Sequence, residues 1–336
     1  MNQRISAIVA AVACLSAGGA SATENGQLRA LLGAPSYELT TPQFPGAYGQ
    51  IWLQHYSANK LRGNDGKAPV TDTTTPLGTL PVRADGEIEA TVIVPRFTYI
   101  TETLVQEGRL GFSATLPLVH QRNDVTLSTT LPAGLPAATV AAVNGLLAQG
   151  SAQRSGSKSG QGDLDVTAFV DWQGDDGRTA LGLSVVAPTG SYVAGRAVNP
   201  GAGKFWTVRP LLIASRVWDN GLELGLRATY SVNTRNSDTQ VRSGQYLHAD
   251  WAGMYRIDDS WRAGLQGYVV RQFTGDDGPG VPSHGNKARV YSIGPMVAYQ
   301  SESGVWALDF KVMQEFGVRN RPQGQLAWVR LNLRLD

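Results

Sequence analysis

Side-chain polarity alternates with a period of two through most of this chain, and that period constrains its fold more than any other feature. In 221–233, Leu222, Leu224, Leu226, Ala228, Tyr230 and Val232 share one face, and Glu223, Gly225, Arg227, Thr229, Ser231 and Asn233 share the other. In 163–173, Leu164, Val166, Ala168, Val170 and Trp172 alternate with Asp163, Asp165, Thr167, Phe169 and Asp171. In 325–336, Ala327, Val329, Leu331, Leu333 and Leu335 oppose Trp328, Arg330, Asn332 and Arg334. Successive side chains of a β-strand point to opposite faces, so each run has one oily and one wet face.

Twelve such runs are read: 47–57, 87–101, 108–118, 162–173, 178–188, 203–217, 221–233, 245–256, 260–273, 287–300, 304–316 and 324–335. Their connections alternate between two classes. Short turns fall at 103–107, 174–177, 218–220, 257–259 and 301–303; mostly longer segments fall at 58–86, 119–161, 189–202, 234–244, 274–286 and 317–323. Strands of soluble sandwiches usually have about 5–6 residues. These have about twice that, near the ~9–11 residues that cross a bilayer at a tilt. The expected fold is all-β: a transmembrane up-and-down antiparallel β-barrel of about 12 strands, with short periplasmic turns and long extracellular loops. An even strand number puts both termini on the short-turn side.

Composition agrees. The chain is 42% hydrophobic with a net charge of +2, which excludes the low hydrophobicity and high charge of a disordered chain and gives no broad basic footprint for nucleic acid. Its charged fraction, 17%, is below the ~25% of typical globular chains. The mean hydropathy of -0.16 resembles a soluble protein's, but a wall that is half oily and half wet averages to the same value. Met1 to Ala22 reads as a secretory signal peptide: Arg4 supplies the positive end, 5–15 the apolar run, and Ala20-Ser21-Ala22 the cleavage site. No stretch is long and apolar enough for a helical span of ~20 residues. Cleavage removes Cys14, the one cysteine. The remaining 23–336 is expected to form one barrel domain in the bacterial outer membrane, with lipid, a small-molecule solute and the barrel-assembly machinery as its partners.

Several short motifs recur in order along the chain. They are Ala187-Pro188-Thr189-Gly190-Ser191-Tyr192, Asn199-Pro200-Gly201-Ala202-Gly203-Lys204-Phe205-Trp206, Ser243-Gly244-Gln245-Tyr246 with Asp250, Gly267-Tyr268 with Gln272-Phe273-Thr274 and Asp276, and Ser292-Ile293-Gly294-Pro295 with Tyr299. The first half adds Pro45-Gly46-Ala47-Tyr48 and Gly160-Gln161-Gly162-Asp163-Leu164. In this order the chain resembles outer-membrane transporters associated with the meta-pathway of phenol degradation. The resemblance implies a channel-like protein for passive uptake of small apolar or aromatic solutes. The chain departs from many outer-membrane barrels in ending Leu333-Arg334-Leu335-Asp336 rather than on an aromatic, so assembly would use Trp328 or an internal signal.

A barrel's chemistry lives on its inward faces. The alternation gives as pore-lining candidates Asp163, Asp165, Asp171, Glu223, Arg227, His248, Asp250, Arg256, Arg262, Gln266, Asp309, Lys311, Glu315, Arg330 and Arg334. Acids and bases are nearly balanced, unlike the single-sign rings of strongly ion-selective pores; an ion-pair network that stiffens the wall is the competing role. The longest connection, 119–161, contains a helical pattern at 135–149, with Val140, Val143, Leu146 and Leu147 near 3.6 spacing, and a Ser/Gly-rich stretch at 150–162. It is read as a constriction or plug in the pore, a lid over its mouth, or a mobile outer loop. Aromatics near strand ends (Trp52, Tyr56, Tyr99, Trp172, Trp206, Trp218, Tyr255, Trp261, Tyr291, Tyr299, Trp306 and Trp328) suit interfacial girdles or an aromatic solute path.

Two other classes are weighed. His55-Tyr56-Ser57 puts a His and a Ser on one strand face, as a lipid-acting barrel enzyme would need, but no Asn or Asp is identifiable as an orienter. A structural or adhesive barrel would work through its outer loops. His55, His120, His248 and His284 have no zinc spacing, no nucleotide-binding loop appears, and Gly275-Asp276-Asp277-Gly278 lacks the rest of a calcium loop. The chain is therefore expected to need no metal or cofactor and to catalyse no reaction.

Overall fold

The structure, a computed structural model, describes residues 28–75, 78–282 and 286–336. The expected signal peptide lies outside the described residues. Among them run β1 (Gly46–Arg62), β2 (Val70–Thr75), β3 (Gly78–Val105), β4 (Gly108–Thr115), β5 (Leu118–Thr129), α1 (Ala137–Arg154), β6 (Gly156–Gln161), β7 (Leu164–Gly174), β8 (Gly177–Ala187), β9 (Thr207–Val217), β10 (Leu222–Asn233), β11 (Tyr246–Arg256), β12 (Trp261–Gln272), β13 (Arg289–Gln300), β14 (Trp306–Arg319) and β15 (Arg321–Arg334). β1 pairs with β15 on one side and β3 on the other. The path β1-β15-β14-β13-β12-β11-β10-β9-β8-β7-β4-β3 thus closes on itself, every neighbour antiparallel. These are the twelve expected strands. Closure gives each wall strand two partners, which a bilayer demands because it offers no water to a free edge.

The two faces behave as the alternation requires. Leu224, Leu226, Leu265, Phe97, Phe310 and Val329 are exposed on the outside, a wall of hydrocarbon for lipid. At the short-turn end, Trp261 and Tyr299 lie 4.9 Å apart and Tyr299 and Trp306 5.1 Å apart, with Tyr255 and Tyr99 exposed nearby, forming one aromatic girdle. Trp52, Tyr56 and Trp328 do not join a girdle. All three point inward, Trp52 at 2% and Trp328 at 0% exposure, with their rings edge-to-face at 6.2 Å. Their even-numbered places on β1 and β15 put them on the same face as Gln54 and Arg330.

The 119–161 segment differs from a loop. β5 pairs with the upper part of β3, and β6 pairs with β5, so the sheet continues beyond the barrel on this side. The outward residues of the extension are polar and exposed, as at Arg83, Asp85, Arg122 and Asp124. With water rather than lipid outside, the outward face there is polar and only the inward face is apolar, and the sequence reads as a loop. α1 lays Val143 and Leu147 on the inward residues Val82, Val125 and Leu127 of the extension. It covers the sheet above the barrel and does not fill the pore. The β14–β15 connection is also shorter than its reading as a longer outer segment: a single residue, Asn320, turns the chain at φ 53°.

The lumen is instead occupied by the segment before β1. Leu32 and Ala34 pack with Trp52, Val92, Tyr268, Val270, Met313 and Trp328 into one buried cluster, and Tyr37 and Leu39 pack with Met254, Met296 and Ala298 into a second. Both clusters lie inside the barrel.

Cross-linking checks the closure. Leu53 and Val329 are directly opposed across the β1–β15 seam, and opposed antiparallel residues lie about 4.5–5.5 Å apart at Cα, within disulfide reach. Oxidised Leu53→Cys/Val329→Cys protein is expected to carry a disulfide that alters the mobility of the heated band on a non-reducing gel; Leu53→Cys/Ala327→Cys, slipped by one pair, is expected to cross-link far less.

Candidate functional site

The segment 28–41 crosses the lumen from the long-loop end to the short-turn end, and the wall holds it mainly by its backbone. At the outer end, the Arg29 guanidinium donates to Asp163 at 2.9 Å and to the carbonyls of Gly203 and Phe205, and stacks 3.8 Å over the Phe205 ring. At mid-lumen, Trp328 Nε1–H donates to the Leu32 carbonyl at 3.1 Å, and the Gly33 N–H donates to Asp250 at 2.8 Å. Lys311 Nζ donates to the Ala34 and Pro35 carbonyls at 2.9 and 2.7 Å, joined there by Arg330 and Gln266. Nearer the periplasmic end, Glu38 accepts from Arg330 at 2.7 Å, the Glu38 carbonyl accepts from Arg178 at 2.7 Å, and Thr40 donates to Glu223 at 2.7 Å.

Two glycines make room for this. Gly33 sits at φ +68°, and a Cβ there would lie 2.3 Å from Met313 Cε. Gly225 is on the inward face of β10, where a Cβ would meet Leu39 Cβ at 2.6 Å. A side chain at either place would push the segment off the wall.

The charged wall residues pair closely. Arg178 grips both Asp171 oxygens at 3.0 and 2.8 Å, a bidentate pair. Arg256 and Arg262 flank Glu223 at 3.2 and 3.3 Å. Asp309 lies between Lys311 at 3.9 Å and Arg330 at 3.6 Å. Glu315 accepts from Tyr268 at 2.7 Å and Tyr56 at 3.0 Å, with Arg321 at 3.5 Å. His248 lies 2.9 Å from Asp250, and Arg227 lies 3.9 Å from it. In a lumen shielded from bulk water an unpaired ion is costly, so each added carboxylate calls for its own cation.

Beside the outer half of the segment is a cavity of about 260 Å³. One side is the segment itself, from Leu28 to Ala34; the other is wall, including Trp52, Val92, Val119 and Arg96. Strand breaks border it: β4 gives way to β5 at Pro117, and β6 to β7 at Gly162, whose N–H donates to the Pro117 carbonyl at 2.7 Å.

The fifteen sequence candidates therefore separate by position. Asp163, Asp165, Arg227 and His248 border the cavity. Asp250, Gln266, Asp309, Lys311, Glu223, Arg262 and Arg330 hold the segment or brace the groups that do. Asp171 is paired to Arg178, which reaches the segment, and Glu315 anchors two tyrosines. Arg256 supports Glu223, and Arg334 lies at the periplasmic rim, donating to Pro45 and Asp336. The sequence reading missed Arg29, Arg96, Arg178 and Arg209, and the segment 28–41 altogether. One signal pointed to it. Trp328 shares the wet face of its strand with Arg330, and a large aromatic facing a water-filled pore has nothing to pack on.

His55 and Ser57 lie on the outward face of β1, both exposed, with His55 Nδ1 3.3 Å from Thr91 Oγ1. Among the described residues no group of three His, Cys, Asp or Glu side chains is arranged to hold a metal.

A closed barrel of twelve strands with an oily exterior, an aromatic girdle and a lumen threaded by its own N-terminal segment is a protein of the bacterial outer membrane, built on a channel fold. The family model for the MetA-pathway of phenol degradation matches residues 58–331, and the chain belongs to that family. Its fold is similar to the COG4313 outer membrane channel from Pseudomonas putida F1, with a TM-score of 0.67, 15% identity, and 89% of this chain and 99% of that chain covered. More distant is the CymD monoaromatic hydrocarbon channel, with a TM-score of 0.42, 13% identity, and 87% and 89% covered. A FadL homologue of Pseudomonas aeruginosa gives a TM-score of 0.41, 11% identity, and 94% and 99% covered. No curated protein matches the chain in sequence.

Loosening the segment should open the lumen. Lys311→Met removes a cation that donates to two buried carbonyls, at a cost of about 2 kcal/mol or more. Planar-bilayer recordings are expected to show larger and noisier ion conductance for Lys311→Met and for Gly225→Val than for the unaltered protein, and the largest for a variant lacking residues 28–41.

Proposed function

We propose that the protein is a channel for passive uptake of small apolar or aromatic solutes across the outer membrane, and that it is not an enzyme. The cavity carries this reading. It is lined largely by apolar side chains, it is close to the ~300 Å³ at which small-molecule pockets begin, and it lies between a removable segment and the wall. An open, water-filled pore would favour ions and sugars, whereas this lumen is crossed by 28–41, which packs against Trp52, Val92 and Trp328. The Pseudomonas putida F1 channel of similar fold and the family's link to phenol degradation support the same reading. The inward charged residues then serve as lumen walls and as the grip on 28–41, and 23–336 acts as one barrel domain after removal of 1–22. Insertion by the barrel-assembly machinery belongs to the same reading. Trp328, buried against the segment, is unsuited to be its outward signal, so an internal signal is favoured.

The lipid-acting alternative is disfavoured by geometry. His55 and Ser57 face outward, towards lipid, but among the described residues the hydrogen bond of the His55 ring goes to the Thr91 hydroxyl, not to Ser57 or to a carboxylate or amide that would orient it.

Liposomes containing the folded, heat-modifiable protein are expected to take up a labelled monoaromatic solute such as toluene faster than empty liposomes, while a disaccharide is excluded. Equal toluene rates with and without protein would overturn the proposal. Ser57→Ala is expected to leave any trace of phospholipid hydrolysis unchanged; its loss would restore the enzyme reading.

A further inference from the structure

The polar atoms around the cavity are not balanced. Among buried side-chain atoms that have no hydrogen-bond partner, those on its lining residues are Trp52 Nε1, Arg96 Nε, and Nε and Nη1 of Arg321. All are donors. The charges are unbalanced in the same sense. Five arginines line the cavity against two aspartates, and both aspartates are already paired, Asp163 with Arg29 at 2.9 Å and Asp165 with Arg209 at 3.0 Å. Arg321 has Glu315 at 3.5 Å, and Arg227 reaches Asp250 only at 3.9 Å. Arg96 has no carboxylate partner among the described residues. Its guanidinium makes one long hydrogen bond, 3.3 Å to the Ser113 hydroxyl, and lies 5.3 Å from the Trp52 ring. Arg227 and Arg330 add like charge within electrostatic reach, and Glu38 and Asp165 oppose it from beyond salt-bridge distance.

From this imbalance we infer that the cavity recognises a small monocarboxylate with an apolar or aromatic body, its carboxylate held by Arg96 and Trp52 Nε1–H. This deepens the uptake reading above and rests on it. A carboxylate is acceptor-only and matches the planar guanidinium fork with two parallel bonds. A neutral hydrocarbon offers the orphan donors nothing. The apolar lining from Leu31, Leu32, Val92 and Val119 has no use for an inorganic anion, and a cavity of about 260 Å³ accommodates one ring rather than a long chain. The inferred ligand is therefore an acid of benzoate's kind.

Equilibrium dialysis of the full-length, heat-modifiable protein in detergent tests this with labelled benzoate, its neutral counterpart benzamide, and toluene. Benzoate is expected to bind saturably and roughly tenfold or more tighter than benzamide, as loss of a bidentate charged pair predicts. The benzoate-to-benzamide ratio should fall towards one in Arg96→Gln and to an intermediate value in Arg96→Lys, which keeps the charge but loses the fork. If Arg96→Gln does not reach the heat-modifiable form, Trp52→Phe, which removes the N–H donor together with part of the buried indole, should lower the ratio in the same direction. Equal binding of benzoate and benzamide, an unchanged ratio in the variants, or displacement of benzoate by chloride at equal concentration would each overturn the inference. Toluene binding without benzoate binding would overturn it and leave the uptake reading standing. Failure of all three to bind, together with no toluene flux into liposomes, would overturn both.

Discussion

A bilayer supplies no partner for a backbone N–H or C=O, and every large feature of this protein follows from that. The wall must close, so β1 pairs with both β3 and β15. Closure at twelve strands leaves an interior too wide for opposed side chains to fill. A second length of backbone enters it, and this length has no sheet to join. Its carbonyls at Leu32, Ala34 and Pro35 are satisfied by Trp328, Lys311, Arg330 and Gln266. The wall thus solves for the segment the problem that strand pairing solves for the wall.

The donors at mid-lumen must be cationic or strongly polar, which explains the acids around them. Lys311 and Arg330 are fully buried, and Asp309, shared between them, is buried too. Replacing a well-surrounded buried pair by apolar residues is often harmless to stability, whereas removing one partner is not. The network is therefore poor evidence for stabilisation of the barrel as such. Its consistent product is placement: each cation that is neutralised by a wall acid keeps hydrogens free for segment carbonyls. Moving the segment costs these hydrogen bonds and also parts the two ion pairs that the segment itself makes, Arg29 with Asp163 and Glu38 with Arg330, while Lys311 and Arg330 both keep Asp309.

The barrel was legible in the sequence because lipid enforces one oily face per strand. Leu222, Leu224 and Leu226 against Glu223 and Arg227 could sit no other way. Legibility ended where lipid ended. Val125 and Leu127 alternate with Asp124, Thr126 and Ser128, yet both sides of that strand meet water or a helix, so it read as loop. The segment 28–41 was hard to read for a different reason: it has no period, and many of the wall's hydrogen bonds to it end on backbone carbonyls, which carry no residue signature, so that Trp328 was its one trace. The inward candidates could be listed from parity alone, but parity does not say which charges meet. Asp171 with Arg178, or Asp163 with Arg29 across 134 residues, are matters of register and of a segment that parity cannot place.

The order of the chain adds a last constraint. The segment enters the lumen at the periplasmic end, where Gly46 begins β1 beside the C-terminal Asp336, and rises to Arg29 near the outer rim. Among the described residues, 28–41 joins the wall covalently through 41–46 and is held elsewhere by discrete hydrogen bonds and two ion pairs. Its outer half, from Leu28 to Leu32, meets the cavity and the unpaired donors, whereas its inner half meets the dense cluster at Lys311, Arg330 and Glu38. Displacement should therefore begin at the outer half, where fewer charged bonds hold the backbone and where a solute arriving from outside would first make contact.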